Sequence, residues 1–166
     1  AKKELLHLGD YAVKSFKQSY DYLISHEEKV ADKGHKTEEA INAIDEELTR
    51  YLISLSGEQL NQKESEVLTN ILDSSRDLER IGDHGEALLH LTDYLIKKKV
   101  IFSESALEEL REIYQMTLNF IKEALQSVEE NDIQLADSLE EKHKNIDLLE
   151  RKLRKTHISR LNRGEC

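Results

Sequence analysis

The sequence predicts an all-α protein, an antiparallel up-down bundle of long helices. Three observations predict it. The 166 residues contain no Pro, no Trp and six Gly, and 35% of them are charged; a chain rich in Glu, Lys and Leu with so few breakers folds as long helices. Apolar residues recur at intervals of three, four and seven, the period of one buried helix face. The first part of the chain also recurs further along at a constant offset of 102 positions, with no gap.

The elements follow in order. A first helix is expected over Lys2 to Glu28, with Leu5, Leu8, Ala12, Phe16, Tyr20 and Leu23 as its stripe. Lys29 to Lys36, with Gly34, reads as a turn. Thr37 then caps a second helix with an acidic first turn, Glu38-Glu39. That helix buries Ile41, Ile44, Leu48, Tyr51 and Leu55 and ends at Gly57. A third, from about Asn61 to Lys98, carries Val67, Ile71, Leu78, Ile81, Leu88 and Leu95. A fourth starts from Ser103 or Ser105, with Leu107, Leu110, Ile113, Thr117, Phe120 or Ile121, Ala124 and Val128 inside. Asn131 and Asp132 break the chain. A fifth runs to about Leu161, with Leu139, His143, Ile146, Leu149 or Glu150, Leu153, His157 and Leu161.

The repeat links these elements. Leu5 falls on Leu107, Leu8 on Leu110, Glu27-Glu28 on Glu129-Glu130 and Ile44-Asp45 on Ile146-Asp147. Residues 1–100 therefore read as one three-helix repeat, and residues 101–166 as two helices of a second. Its third helix is expected to start near residue 164, so the polypeptide reads as part of a longer one. An incomplete bundle should leave an apolar groove on helices four and five, to be covered by a partner or a second copy.

Charge and cysteine usage narrow the function. A net charge of −10 opposes a nucleic-acid partner and suits a cation or a basic surface. The lone Cys166 excludes an internal disulfide and fits a reducing compartment. No apolar run approaches the ~20 residues needed to span a bilayer, nor is there a signal peptide. The expected location is the cytoplasm.

The stretch Asp77-Leu-Glu-Arg-Ile-Gly-Asp-His84 stands out. Glu79 and Asp83 lie one turn apart on one helix face, where like charges repel by a few tenths of a kcal/mol. Carboxylates at this spacing in an acidic chain usually form a solvated face. Glu79, however, shares a row with Leu68, Leu72, Ser75, Gly82, Glu86 and Leu89, beside the buried stripe, where unpaired charge is costly. Gly82 and Gly85 flank these acids, although a mid-helix Gly costs about 1 kcal/mol against Ala; something approaches the backbone there. A cation would turn the repulsion into coordination. Asp45, on the second helix, matches their height only if the start of the third helix projects beyond the second or the connection between them is longer than it looks. His143 and Asp147, at i and i+4 on the fifth helix, form a further candidate pair. His157 is expected to be a buried, neutral core residue. Carboxylates with an occasional imidazole suit iron, zinc, manganese or magnesium alike.

Catalytic signatures are missing: there is no Gly-x-Ser-x-Gly, no His-Glu-x-x-His and no Gly-rich phosphate loop. Glu140-x-x-His143 has the di-iron spacing, but one copy supports a helical-bundle metalloenzyme only weakly.

The residues at 77–84, the helix order and the Ile-Asp pair of the second helix in both copies resemble the PhoU family. The tail from Asp147 to Cys166 is most similar to the PhoU-like cytoplasmic domain of bacterial sodium/phosphate cotransporters. The resemblance implies two three-helix repeats, regulation of phosphate transport without catalysis, and metal clusters held by acidic motifs on the second and third helices. Carried over, the ligands are Glu79 and Asp83, with Asp45. Ile41 breaks the partner position of Asp45, for which Glu38 or Asn42 could substitute, and His143 with Asp147 stands in the second repeat. The implied cofactor is a divalent or trivalent metal ion. The implied partner is the membrane domain of a phosphate transporter, joined in the same chain or docked, at the cytoplasmic face of the inner membrane. A homodimer through the second repeat is a further expectation, and a metal-free interaction module is the plainest alternative.

Overall fold

The computed structural model describes residues 1–57 and 59–164. Among them are five helices: α1 (Lys2–Ser25), α2 (Glu28–Ser56), α3 (Gln62–Lys97), α4 (Glu104–Glu130) and α5 (Ile133–Arg163). The chain divides into two compact units, Ala1–Lys98 and Lys99–Cys166. In the first, α1, α2 and α3 pack pairwise on one another; in the second, α4 packs on α5.

Local chemistry sets most helix ends. The Asn61 side chain accepts from the Glu64 amide at 3.0 Å, and the Glu64 carboxylate accepts from the Asn61 amide at 2.9 Å, a reciprocal capping box. Ser103 caps α4 through the Ala106 amide, and Asp132 caps α5 through the Leu135 amide. His26, Asn131 and Gly164 close α1, α4 and α5 in the left-handed conformation.

The expected turn at Lys29–Lys36 does not exist. The connection is His26-Glu27, and α2 starts at Glu28. Gly34 and Thr37 lie inside α2 and are buried. Ala31, Gly34, Glu38, Ile41, Asp45, Leu48 and Leu52 follow one another at threes and fours, and that face packs inward. Gly34 is there for space: a methyl group on it would lie 2.7 Å from Leu89 Cδ1. Thr37 caps nothing; its hydroxyl donates to the Lys33 carbonyl at 2.9 Å.

The core of the first unit is tight. Leu8, Ile41, Leu52 and Leu89 are fully enclosed, each worth about 1.5–3 kcal/mol against exposure. The buried face of α3 is Ser75, Leu78, Gly82, Gly85, Leu89 and Thr92. Four of these six are small or polar, and Val67, from the expected stripe, is half exposed. Small side chains let helices approach. A methyl on Gly82 would sit 2.8 Å from Ile41 Cδ1, and one on Gly85 would collide with Ser15 of α1. The Tyr22 hydroxyl of α1 donates to Asp93 of α3 at 2.5 Å, and that bond first, then burial, pushes its pKa up to about 12.

In the second unit Arg160 donates two hydrogen bonds to Glu109, at 2.8 and 2.6 Å, and Lys142 reaches Glu123 at 2.6 Å. These pairs set α4 and α5 antiparallel. They also show the inward face of α5 turned by about one residue from the expected stripe. Arg160 is buried, while His157 and Leu161 are exposed. His157 is therefore not a core residue: the Arg160 pair with Glu109 occupies the inward position, where a buried guanidinium needs a carboxylate. An apolar groove of about 530 Å³ lies beside this pair, lined by Phe102, Leu110, Ile113 and Leu153 among others.

Candidate functional site

The acidic residues of the sequence meet where α2 and α3 run antiparallel. Three contacts establish the register. Gly34 faces Leu89, Ile41 faces Gly82, and the Ser75 hydroxyl donates to Asp45 Oδ1 at 2.8 Å. Each turn down α2 is matched by a turn up α3, as helices of equal pitch require. The same register carries roughly the first turn and a half of α3 past the end of α2. That projection is what lets Asp45 reach the level of Glu79.

Ile41 is a packing residue, not a failed ligand. It fills the space that Gly82 leaves open, and so draws the two backbones together. The carboxylates line the edge of that contact. Glu79 is half-buried, and its pKa lies above the ordinary carboxylate range, first through burial and then through the negative charges of Asp83, Asp45 and Glu38. Arg80 opposes this weakly; it is exposed and lies 3.8 Å from Asp77 on its own helix. Glu38 is buried and its pKa is raised for the same reason, burial first. The Asn42 side-chain amide donates to it and partly offsets the shift, while Glu86, Asp83 and Glu39 add to it. Four carboxylates from two helices thus interact: Glu38 and Asp45 from α2, Glu79 and Asp83 from α3.

Their chemistry fits a cation, because each raises the cost of ionising another. They are not assembled around one point, however. Among the described residues no three His, Cys, Asp or Glu side chains form a ready set of metal ligands. Glu86 continues the row, with His35 of α2 at 3.6 Å and His90 at 3.9 Å. His35 escaped the sequence reading because it fell in the expected turn. Counting α2 back from Ile41 at helical spacing would have placed it on this edge.

His143 and Asp147 lie in the second unit. His143 is exposed and Asp147 half-buried on α5, 3.9 Å apart, with the Phe120 ring 6.0 Å from the imidazole. Their equivalence to the first unit shifts in the structure. α4 is 27 residues long against 24 for α1, so the gap-free offset fails at the turn. Counted from the N-caps Glu27 and Asp132, His143 matches Glu38, Ile146 matches Ile41 and Glu150 matches Asp45. Glu150 is paired with Arg154. Cys166 lies outside the described residues.

No helix among the described residues is long and apolar enough to cross a membrane. Compared with known proteins, residues 5–92 and 110–166 match the model of the PhoU domain. The chain is 31% identical over 102 residues to the phosphate-specific transport system accessory protein PhoU homolog 1 of Thermotoga maritima, covering 61% of this chain and 43% of that protein. It is 24% identical over 163 residues to the Putative inorganic phosphate export protein YjbB of Escherichia coli, covering 98% of this chain and 30% of that protein. The chain therefore spans less than half the length of these relatives. No solved structure gives a significant match. With both of its helical units matched, the chain belongs to the PhoU family.

Proposed function

We propose that the chain is a regulatory domain of a phosphate transport system, acting without catalysis on a membrane phosphate transporter at its cytoplasmic face. The observation that carries this reading is the match of 98% of this chain to 30% of a longer protein named for phosphate export. There the matching segment is one part of a larger polypeptide. The likeness of residues 147–166 to the cytoplasmic domain of sodium/phosphate cotransporters supports attachment in the same chain.

The regulatory element is the acidic seam. Glu79 and Asp83, with Asp45 and Glu38 opposite, would hold a divalent or trivalent metal ion. When bound, the ion neutralises the like charges and ties α2 to α3. Without it, this chain's own residues keep Glu79 and Glu38 desolvated and mutually repelled, a pair of helices that a cation would tighten. The His143–Asp147 pair is a second, more open position of the same kind in the other unit. The groove on α4 and α5 supports a homodimer or transporter contact there.

Two measurements test the reading and separate its parts. Phosphate flux in the source cell should change when the coding segment for this chain is deleted; unchanged flux sinks the transport role. Melting in EDTA and in added manganese or magnesium should show a rise with metal, which Glu79→Gln with Asp83→Asn removes. Equal melting in EDTA and in every metal sinks the cation and leaves the transport role standing.

A further inference from the structure

The edge of α2 and α3 carries a second group of donors, chemically unlike the carboxylates beside it. We propose that His35, Glu86 and His90 form a site for a borderline transition-metal dication of the zinc, cobalt or nickel type. His35 comes from α2, Glu86 and His90 from α3. His35 Nδ1 and His90 Nε2 face the same carboxylate oxygen, Glu86 Oε1, at 3.6 and 3.9 Å. The two imidazole rings lie 5.5 Å apart between centroids.

Zinc bonds of about 2.0–2.2 Å at the tetrahedral angle separate ligating atoms by about 3.4 Å. The three side chains are thus close to a coordination set without being one. A few tenths of an ångström of inward rotation would bring each nitrogen to the distance from the oxygen that a shared ion requires.

The placement is held by packing. Glu86 and His90 are four residues apart and share a face of α3. His35 follows Gly34, where the absent methyl lets α2 come within contact of Leu89. The two helices cannot separate here without opening the Leu89 core, which lies 1% exposed. Access is open on the other side, since the His90 side chain is 65% exposed. That leaves room for a water as fourth ligand. Glu38 and Asp83 add negative potential, as the interactions of Glu38 with both Glu86 and Asp83 show. Two imidazoles and one carboxylate suit zinc, cobalt and nickel and discriminate against magnesium and calcium, which take oxygen ligands.

The test is cobalt titration of the full 166-residue chain, followed by the visible d–d absorption of the bound ion and by zinc competition. One ion with a nitrogen-ligated spectrum is expected. His35→Ala and His90→Ala should each weaken zinc by about tenfold or more, since even outer-shell losses cost that much. Glu79→Gln with Asp83→Asn, and His143→Ala, should leave the spectrum in place, and excess magnesium should not displace the ion. The proposal is overturned if both histidine variants keep wild-type affinity, if the spectrum is lost in the Glu79/Asp83 or His143 variant, or if magnesium displaces cobalt. If His35→Ala lowers the helical circular dichroism, His90→Gln decides in its place: retained affinity overturns the site.

Discussion

Replacing Gly82 with Ala tests the contact that positions the acidic seam. On an exposed helix the change would stabilise by about 1 kcal/mol through propensity. Here the new methyl would stand 2.8 Å from Ile41 Cδ1 and 3.1 Å from its Cγ2, against an optimal carbon–carbon separation of about 3.5–4.0 Å. Ile41 is fully enclosed and cannot swing into solvent. Overpacking of this kind costs about 1–3 kcal/mol. Set against the propensity gain, the variant should lose up to about 2 kcal/mol. In a unit of this size each kcal/mol shifts Tm by about 4–8 °C. The partner change is Ile41→Val, which deletes Cδ1 and by itself costs about 0.5–1.5 kcal/mol. In the double variant the alanine methyl occupies the vacated space, so the two changes should couple favourably by about 0.5–2 kcal/mol. Urea unfolding of the four proteins measures the cycle. If Gly82→Ala stabilises by the full propensity gain and the two changes add, then α2 and α3 do not approach through Gly82, and the register of the acidic residues is wrong.

Three further predictions follow from single groups. Glu79 has a raised pKa when folded, so its ionisation costs stability as pH rises through the interval from its unfolded to its folded value. Without metal, Glu79→Gln should equal wild type below that interval and be the more stable protein above it; chemical unfolding against pH reads this, and a wild-type advantage at neutral pH refutes it. Glu109 is the opposite case: its hydrogen bonds from Arg160, ahead of the direct charge attraction, hold its pKa below the ordinary range. Its contribution is present above the unfolded value and disappears as pH falls through the folded one. Glu109→Gln should therefore cost roughly 2–4 kcal/mol at neutral pH by removing the carboxylate that accepts two hydrogen bonds from the buried Arg160 guanidinium, and much less in acid. His157→Ala should change stability by no more than about 0.5 kcal/mol, the range of an exposed position; a large loss in thermal melting would restore it to the core.

The sequence by itself determined the helices, and with them the fold class. Side chains four apart report a helical face wherever apolar and polar residues alternate cleanly, and caps such as Asn61, Ser103 and Asp132 act within a few residues. The pairing of Glu79 with Asp83 was equally legible, being internal to one turn. Three things were decided only in the tertiary structure. Gly34 reads locally as a breaker, yet Leu89 needs its missing methyl, and a contact from another helix outweighed propensity and extended α2 by nearly three turns. The inward face of α5 depended on Glu109 of α4, which makes Arg160 a buried residue and leaves His157 outside. The company that Glu79 keeps, with Asp45 and Glu38 across the seam, depended on how far α3 projects past α2. Periodicity says which residues share a face. Which faces meet, and at what height, is set by the packing of one helix against another, and short-range spacing does not carry that information.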